Sequence, residues 1–253
     1  MPENNVSVTG GPASYDNAYQ KLRIPKTVEN HYSLTSMALP VDVTTLELHG
    51  YTLSQYRGPA AELEKQMLEC AAALGRTVTS ALLSGNGDSN ALPIHTEGVY
   101  LPVPTPYFLL GCLEPAVEGG TTQIYDARKG ARILLEERPE LLNVLIEYGS
   151  LAHKRTAEHA LITRCLVGGR DIERLIFREQ CETNTIKKLP VGWTLASFYA
   201  QMALVLDRSL ALSHEWRCGD IMIVDNRLTL HGRAPYRGRR QMVRLRIDEY
   251  GTK

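Results

Sequence analysis

The chain has 253 residues, with 28 basic and 28 acidic side chains that cancel. That balance excludes a general electrostatic field for nucleic acid or a membrane surface, while 43% hydrophobic residues suffice to bury a full core in one domain. Five cysteines (Cys70, Cys112, Cys165, Cys181 and Cys218) are far apart and form no Cys-x-x-Cys pair, which argues against a disulfide framework or a cysteine zinc site.

Residues 1–17, rich in Gly, Asn, Ser and Pro, read as a mobile tail without the apolar segment of a secretory signal. Residues 18–253 read as one domain, expected in a reducing cytoplasm. No run approaches the roughly 18 apolar residues of a spanning helix. "TTLELHGYTL" (44–53) alternates like a short strand, and "PAAELEKQMLECAAALGRT" (59–77) has helical spacing with a Gly near its end. "LLSGNGDSNALP" (83–93) reads as a loop. "YFLLGCL" suits a buried strand. "EGGTTQIYDARKGARILLEERPELLNVLIEYG" reads as a turn, a short strand and two helical pieces split at Pro139. "ALITRCLVG" and "ERLIFREQ" suit two strands around the Gly168–Gly169 turn, and 193–209 a helix with an apolar face. Two strands follow around Cys218–Gly219–Asp220, then "RRQMVRLRI" is the last strand. Many short strands with few helices predict a mainly β fold, a barrel or jelly roll with added helices.

His95–Thr96–Glu97 is the one histidine with a carboxylate two residues on. In extended chain, residues i and i+2 face the same side, so imidazole and carboxylate converge. With a distant second histidine, such a pair makes the facial triad of non-haem Fe(II) oxygenases; taken alone, it is a weak signal whose plain reading is a hydrogen-bonded loop pair.

The stretch "DNRLTLHGRAPYRGRRQMVRLRI" supplies that histidine, His231. A Pro-Tyr-Arg-Gly turn (235–238) reverses the chain, and the strand from Arg240 is expected to pair beside the one ending at His231. Its alternation sends Gln241, Val243, Leu245 and Ile247 one way and Arg240, Met242, Arg244 and Arg246 the other. A basic outer face is the plain reading of that row. An inward-facing Arg240 could instead hold a carboxylate through two parallel hydrogen bonds.

These residues, over roughly 90–250, resemble the taurine dioxygenase and clavaminate synthase superfamily of Fe(II)- and 2-oxoglutarate-dependent oxygenases. The pattern is carried by His95-Thr96-Glu97, Gly119-Gly120-Thr121-Thr122, Gly219-Asp220 to Asp225-Asn226-Arg227, His231, and Arg240 with Arg244. The resemblance implies a double-stranded β-helix, a jelly roll with helices outside. It implies Fe(II) on His95, Glu97 and His231, with O2 and 2-oxoglutarate as co-substrates. Thr122, with Thr121 as fallback, and Arg240, with Arg244 as second candidate, match the residues that bind the 2-oxoglutarate carboxylate. The loop from His231 to the arginines is shorter than in many members, and the first 90 residues match poorly.

Glu97 fills the position that related halogenases leave for chloride, and glutamate rather than aspartate resembles the clavaminate synthase branch. The expected reaction is hydroxylation, desaturation or cyclisation of a small amino-acid-like or natural-product metabolite, with release of succinate and CO2. Neither a nucleic-acid nor a membrane partner is expected. A cupin-type metal hydrolase or isomerase, and a non-catalytic jelly-roll binding module, are the competing readings. Residues 151–190 are a lid candidate in which Arg155, Arg178 and Glu179 could meet a charged substrate. His153, His159 and His214 read as surface or satisfied histidines, Trp193 and Phe198 as core, and Tyr236 as a candidate for the pocket lining.

Overall fold

The computed structural model describes residues 41–85, 89–98, 104–144, 162–167, 170–177, 189 and 191–249. The tail at 1–17 and residues His153, Arg155, His159, Arg178 and Glu179 of the lid candidate lie outside the described residues. Among the described residues no helix is long and apolar enough to cross a membrane.

The architecture is mainly β with flanking helices. Strands β1 (Tyr51–Gln55), β2 (Arg76–Gly85), β4 (Tyr107–Glu114), β10 (Asp220–Asp225) and β13 (Arg240–Asp248) form an antiparallel sheet in the order β1-β10-β4-β13-β2. Strands β3 (Leu92–His95), β6 (Thr122–Asp126), β9 (Leu210–His214) and β11 (Thr229–Arg233) form a second, in the order β3-β11-β6-β9. Two ribbons complete the set: β5 (Glu118–Gly119) with β12 (Tyr236–Arg237), and β7 (Ile162–Val167) with β8 (Arg170–Leu175).

Strand alternation sorts the side chains into layers. Val243, Leu245 and Ile247 of β13, with Leu109, Ile221 and Ile223, pack under α1 (Val43–His49) and α2 (Leu63–Ala72). Phe108, Leu110, Met222, Val224 and Met242 point the other way and meet Ile124 and Trp216 between the sheets. On the far side, Tyr125 and Leu230 pack under α3 (Ala127–Glu136), α4 (Pro139–Val144) and α5 (Leu195–Ser209), with Leu175 at the end of β8 and Phe177 just after it. Pro139 opens α4, as its sequence position predicts, and Phe198 and Trp193 join this core.

Three local expectations are corrected. Residues 43–49 are a helix rather than the first half of a strand. Asp42 caps it, accepting from the Thr45 N–H at 2.9 Å, and Gly50 ends it with φ +81; these two signals override the alternation. The loop read at 83–93 is shorter, because β2 runs to Gly85 and β3 starts at Leu92. The last strand does not pair beside the His231 strand. β13 lies between β4 and β2, and β11 lies in the other sheet, against β3 and β6. The chain crosses from one sheet to the other through the turn after β12, so the inner faces of β11 and β13 look at one another.

Candidate metal centre

His95 and His231 are a directly opposed cross-strand pair of β3 and β11, with ring centroids 4.2 Å apart. Glu97 follows β3 by two residues, and its carboxylate reaches both. Oε2 lies 3.7 Å from His95 Nε2 and 3.5 Å from His231 Nε2. One ligand atom from each of the three residues lies within 4.8 Å of the others. Glu97 and His231 are 3% and 6% exposed.

The local chain is held from two sides. Asn226 accepts from the Glu97 N–H at 2.9 Å, and its amide donates to the Glu97 carbonyl at 2.9 Å and the Thr105 carbonyl at 2.7 Å. Thr96 donates its N–H to the Phe177 carbonyl at 2.8 Å, and its hydroxyl accepts from the Phe177 N–H at 3.3 Å. Replacing Asn226 by alanine strands three buried backbone groups. The expected loss is about 3 kcal/mol, with a Tm about 5–10 °C lower. Thermal denaturation with a parallel Mn(II) titration checks it, because metal affinity is expected to fall as Glu97 loosens.

The donor set fits a divalent transition metal. His95 Nδ1 lies 2.8 Å from the Pro93 carbonyl, which fixes the proton on Nδ1 and leaves the Nε2 lone pair facing the centre. His231 turns Nε2 to the centre, while its Nδ1 is buried with no hydrogen-bond partner among the described residues. Packing against Phe108, at a ring-centroid distance of 4.5 Å, sets its orientation instead. Burial, and then the neighbouring His95 ring, hold the His231 pKa down to about 4 against the pull of Glu97, so this imidazole is neutral. Burial pushes the Glu97 carboxyl up, but the His231 and His95 rings beside it and the charge of Arg244 outweigh it. The group therefore stays well below the usual carboxylate range.

A pH dependence follows from the histidine. The metal-free folded protein keeps His231 neutral, so the unfolded chain takes up the extra proton as pH falls from 6.5 to about 4. Stability is fully present above that window and is lost across it, by on the order of 3 kcal/mol. Urea unfolding of metal-free protein from pH 7.5 to 4.5 should show this loss, and His231→Gln should flatten it.

The other carboxylate oxygen of Glu97 faces cations. Arg246 Nε donates to Oε1 at 2.5 Å, its Nη2 also contacts that oxygen, and Arg244 Nη1 lies 3.3 Å from it. Arg244 is thus beside the triad. Arg240 stands apart, 8% exposed, against Gly120 and the Tyr236 ring. No carboxylate pairs with Arg240 among the described residues. Burial, and then the Arg233 charge, lower its pKa to about 10, which leaves it charged at neutral pH. Thr122 is 3% exposed, and its hydroxyl accepts from the Trp216 indole at 2.8 Å. One cavity of about 410 Å³ brings His95, Glu97, His231, Thr122, Arg240 and Arg244 together, with Tyr236 in its lining. Thr121 is not part of that lining.

Residues 71–246 match the family described as "Taurine catabolism dioxygenase TauD, TfdA family". The chain belongs to this family. A trimethyllysine dioxygenase of Meyerozyma guilliermondii is 26% identical over 170 residues, or 61% of this chain and 41% of that protein. The aligned part therefore spans about two fifths of that curated relative. PvcB from Pseudomonas aeruginosa has 18% identity and a TM-score of 0.57, covering 81% of this chain and 78% of that one. The non-haem iron oxygenase OrfP, as a D157A mutant with (3S)-hydroxy-L-Arg, has 18% identity and a TM-score of 0.51, with the same coverage. At these identities the likeness to the solved structures is one of fold.

Three residues of this TauD/TfdA chain contact Glu97 or Thr122 without a role in the sequence reading. Asn226 was visible only as part of the Asp225-Asn226-Arg227 run, and Arg246 only as one more arginine on the inner face of β13. Trp216 carried no signal at all. His214 is satisfied, as expected, with Nε2 3.0 Å from the Asp220 carboxylate.

Proposed function

We propose that this chain is an Fe(II)- and 2-oxoglutarate-dependent dioxygenase. It oxidises a small amino-acid-like or natural-product metabolite by hydroxylation, desaturation or ring closure, releasing succinate and CO2. The observation that carries this reading is the pairing within one cavity of the His95–Glu97–His231 cluster with a buried, uncompensated guanidinium, Arg240. A metal-binding hydrolase has use for the cluster but none for such a cation. A dicarboxylate that chelates a metal at one end needs a cationic partner for the other.

His95 Nε2, Glu97 Oε2 and His231 Nε2 would hold the iron. Bound there, iron with 2-oxoglutarate and O2 supplies the oxidising power of the reaction. Arg240 takes the distal carboxylate of 2-oxoglutarate through charge-assisted hydrogen bonds, and the Thr122 hydroxyl donates a further one. Arg246 and Arg244 occupy Glu97 Oε1, so the carboxylate offers a single oxygen to the metal. Phe108, Leu110 and Met242 make the wall between the sheets apolar and keep bulk water from it.

Four arginines (Arg233, Arg240, Arg244 and Arg246) line the cavity against one carboxylate, Glu97. That excess favours anions, first the 2-oxoglutarate dianion and then a substrate carboxylate. The relatives agree in chemistry. The curated one is named for a lysine derivative, the OrfP crystal holds a hydroxylated arginine, and PvcB is an oxygenase of an isonitrile synthetic pathway. We read the two sheets as the halves of a double-stranded β-helix and residues 18–253 as one domain.

The test is succinate formation. Protein loaded with Fe(II) is mixed with 2-oxoglutarate in air and challenged with a panel of free amino acids and their N-modified forms. Oxygen-dependent succinate release, stimulated by at least one member, is the expected result. Protein that retains its iron yet consumes no 2-oxoglutarate under any of these conditions contradicts the reading.

A further inference from the structure

We infer that Trp216 is a positioning residue for the co-substrate end of the cavity: its indole N–H occupies one lone pair of the Thr122 hydroxyl and so turns the hydroxyl proton toward the cavity. This rests on the reading of Thr122 and Arg240 as the holders of the distal carboxylate of 2-oxoglutarate. Trp216 Nε1 donates to Thr122 Oγ1 over 2.8 Å, and the two residues are 8% and 3% exposed. A hydroxyl has one proton and two lone pairs. Thr122 Oγ1 makes no second hydrogen bond among the described residues, so its proton finds no acceptor there. The Thr122 backbone is fixed by pairing with Arg233 on β11 and His214 on β9. The side chain lines the cavity that holds Arg240. An anion held by Arg240 is the acceptor this geometry provides for.

The residues that fix Trp216 are ones the reaction otherwise leaves without a role. His214 meets the Trp216 ring edge-on, with centroids 4.8 Å apart and planes at 83°. His214 Nε2 lies 3.0 Å from Asp220 Oδ2, and the same oxygen accepts from the Arg217 N–H at 2.8 Å. Gly219 turns the chain at φ +87, where a Cβ would stand 2.2 Å from the Tyr56 carbonyl oxygen. The Gly219-Asp220 pair therefore shapes the turn between β9 and β10 that presents Trp216 to Thr122. A threonine left to rotate would offer a proton or a lone pair to the incoming carboxylate; Trp216 leaves it the proton.

The experiment measures binding to the Mn(II)-loaded protein by calorimetry, with 2-oxoglutarate and with 2-oxobutyrate, which has the same chelating end and no distal carboxylate. In Trp216→Phe the Kd for 2-oxoglutarate rises about tenfold, while that for 2-oxobutyrate and for Mn(II) is unchanged. Thr122→Val shows a loss at least as large, and the double variant is no weaker than Thr122→Val alone. A second measurement needs no Trp216 variant. The chain has two tryptophans, Trp193 and Trp216, so the indole region of a 15N spectrum holds two peaks, assigned with Trp193→Phe. Thr122→Val moves the Trp216 peak and leaves that of Trp193. The inference is overturned if Trp216→Phe weakens both oxo acids equally, if the losses multiply in the double variant, or if the indole peak stays put. If Thr122→Val and Arg240→Met both leave 2-oxoglutarate affinity intact, the proposed co-substrate site itself falls.

Discussion

Replacing Glu97 by alanine is expected to raise the Kd for Fe(II) or Mn(II) at least about 10³-fold, the equivalent of about 4 kcal/mol. Two effects combine. The centre loses one of three protein ligands, and that ligand supplies its negative charge. The variant also leaves Arg244 and Arg246 facing the cavity without the carboxylate oxygen they now share. Their side chains are 17% and 25% exposed, so their repulsion of an incoming cation is only partly screened. Glu97→Gln separates the two, since it keeps the shape and the Asn226 contacts to the backbone and removes only the charge. It should fall close to alanine in metal affinity but retain a higher Tm. Equilibrium metal titration with thermal denaturation reads both. Unaltered metal binding in Glu97→Ala would place the metal elsewhere.

Arg240→Met should have effects of opposite kind on affinity and stability. The guanidinium is buried, and among the described residues it has no carboxylate partner. Removing a buried charge-assisted contact typically loses 2–5 kcal/mol of binding, so the Kd for 2-oxoglutarate should rise about 10²–10³-fold. Metal affinity should be unchanged, because Arg240 lies against Gly120 and Tyr236 rather than the triad. The ligand-free protein should lose no stability. Methionine keeps the apolar stem and removes a charge that burial disfavours, a replacement that is often neutral or stabilising. Calorimetric titration and a melting curve on the same preparation test the pair. A fall in Tm with intact 2-oxoglutarate affinity would make Arg240 a structural residue.

The parts of the site that were legible in the sequence are those set by short-range geometry. His95 and Glu97 converge because they are two residues apart in extended chain, and Arg240, Met242, Arg244 and Arg246 share the inner face of β13 by strand alternation. What could not be read depends on contacts between distant segments. Asn226 reaches Glu97 across 129 residues, Arg246 reaches it across 149, and Trp216 reaches Thr122 across 94. No local pattern encodes these pairings. Strand β2 is not legible for another reason: it is an edge strand of exposed and half-buried residues, with none buried, so its sequence lacks an apolar period. The partner of β13 is not legible either, because β11 and β13 are neighbours in sequence but lie in different sheets. The chain instead crosses to the opposite sheet through β12 and the turn after it, and that crossing is what faces the arginines toward the histidines.

The most direct measurement is a visible spectrum of the metal-free protein mixed with Fe(II) and 2-oxoglutarate in the absence of oxygen. A weak charge-transfer band is expected, absent in Glu97→Ala and shifted or weakened in Arg240→Met. Stoichiometric iron binding with no such band would contradict 2-oxoglutarate chelation at this centre.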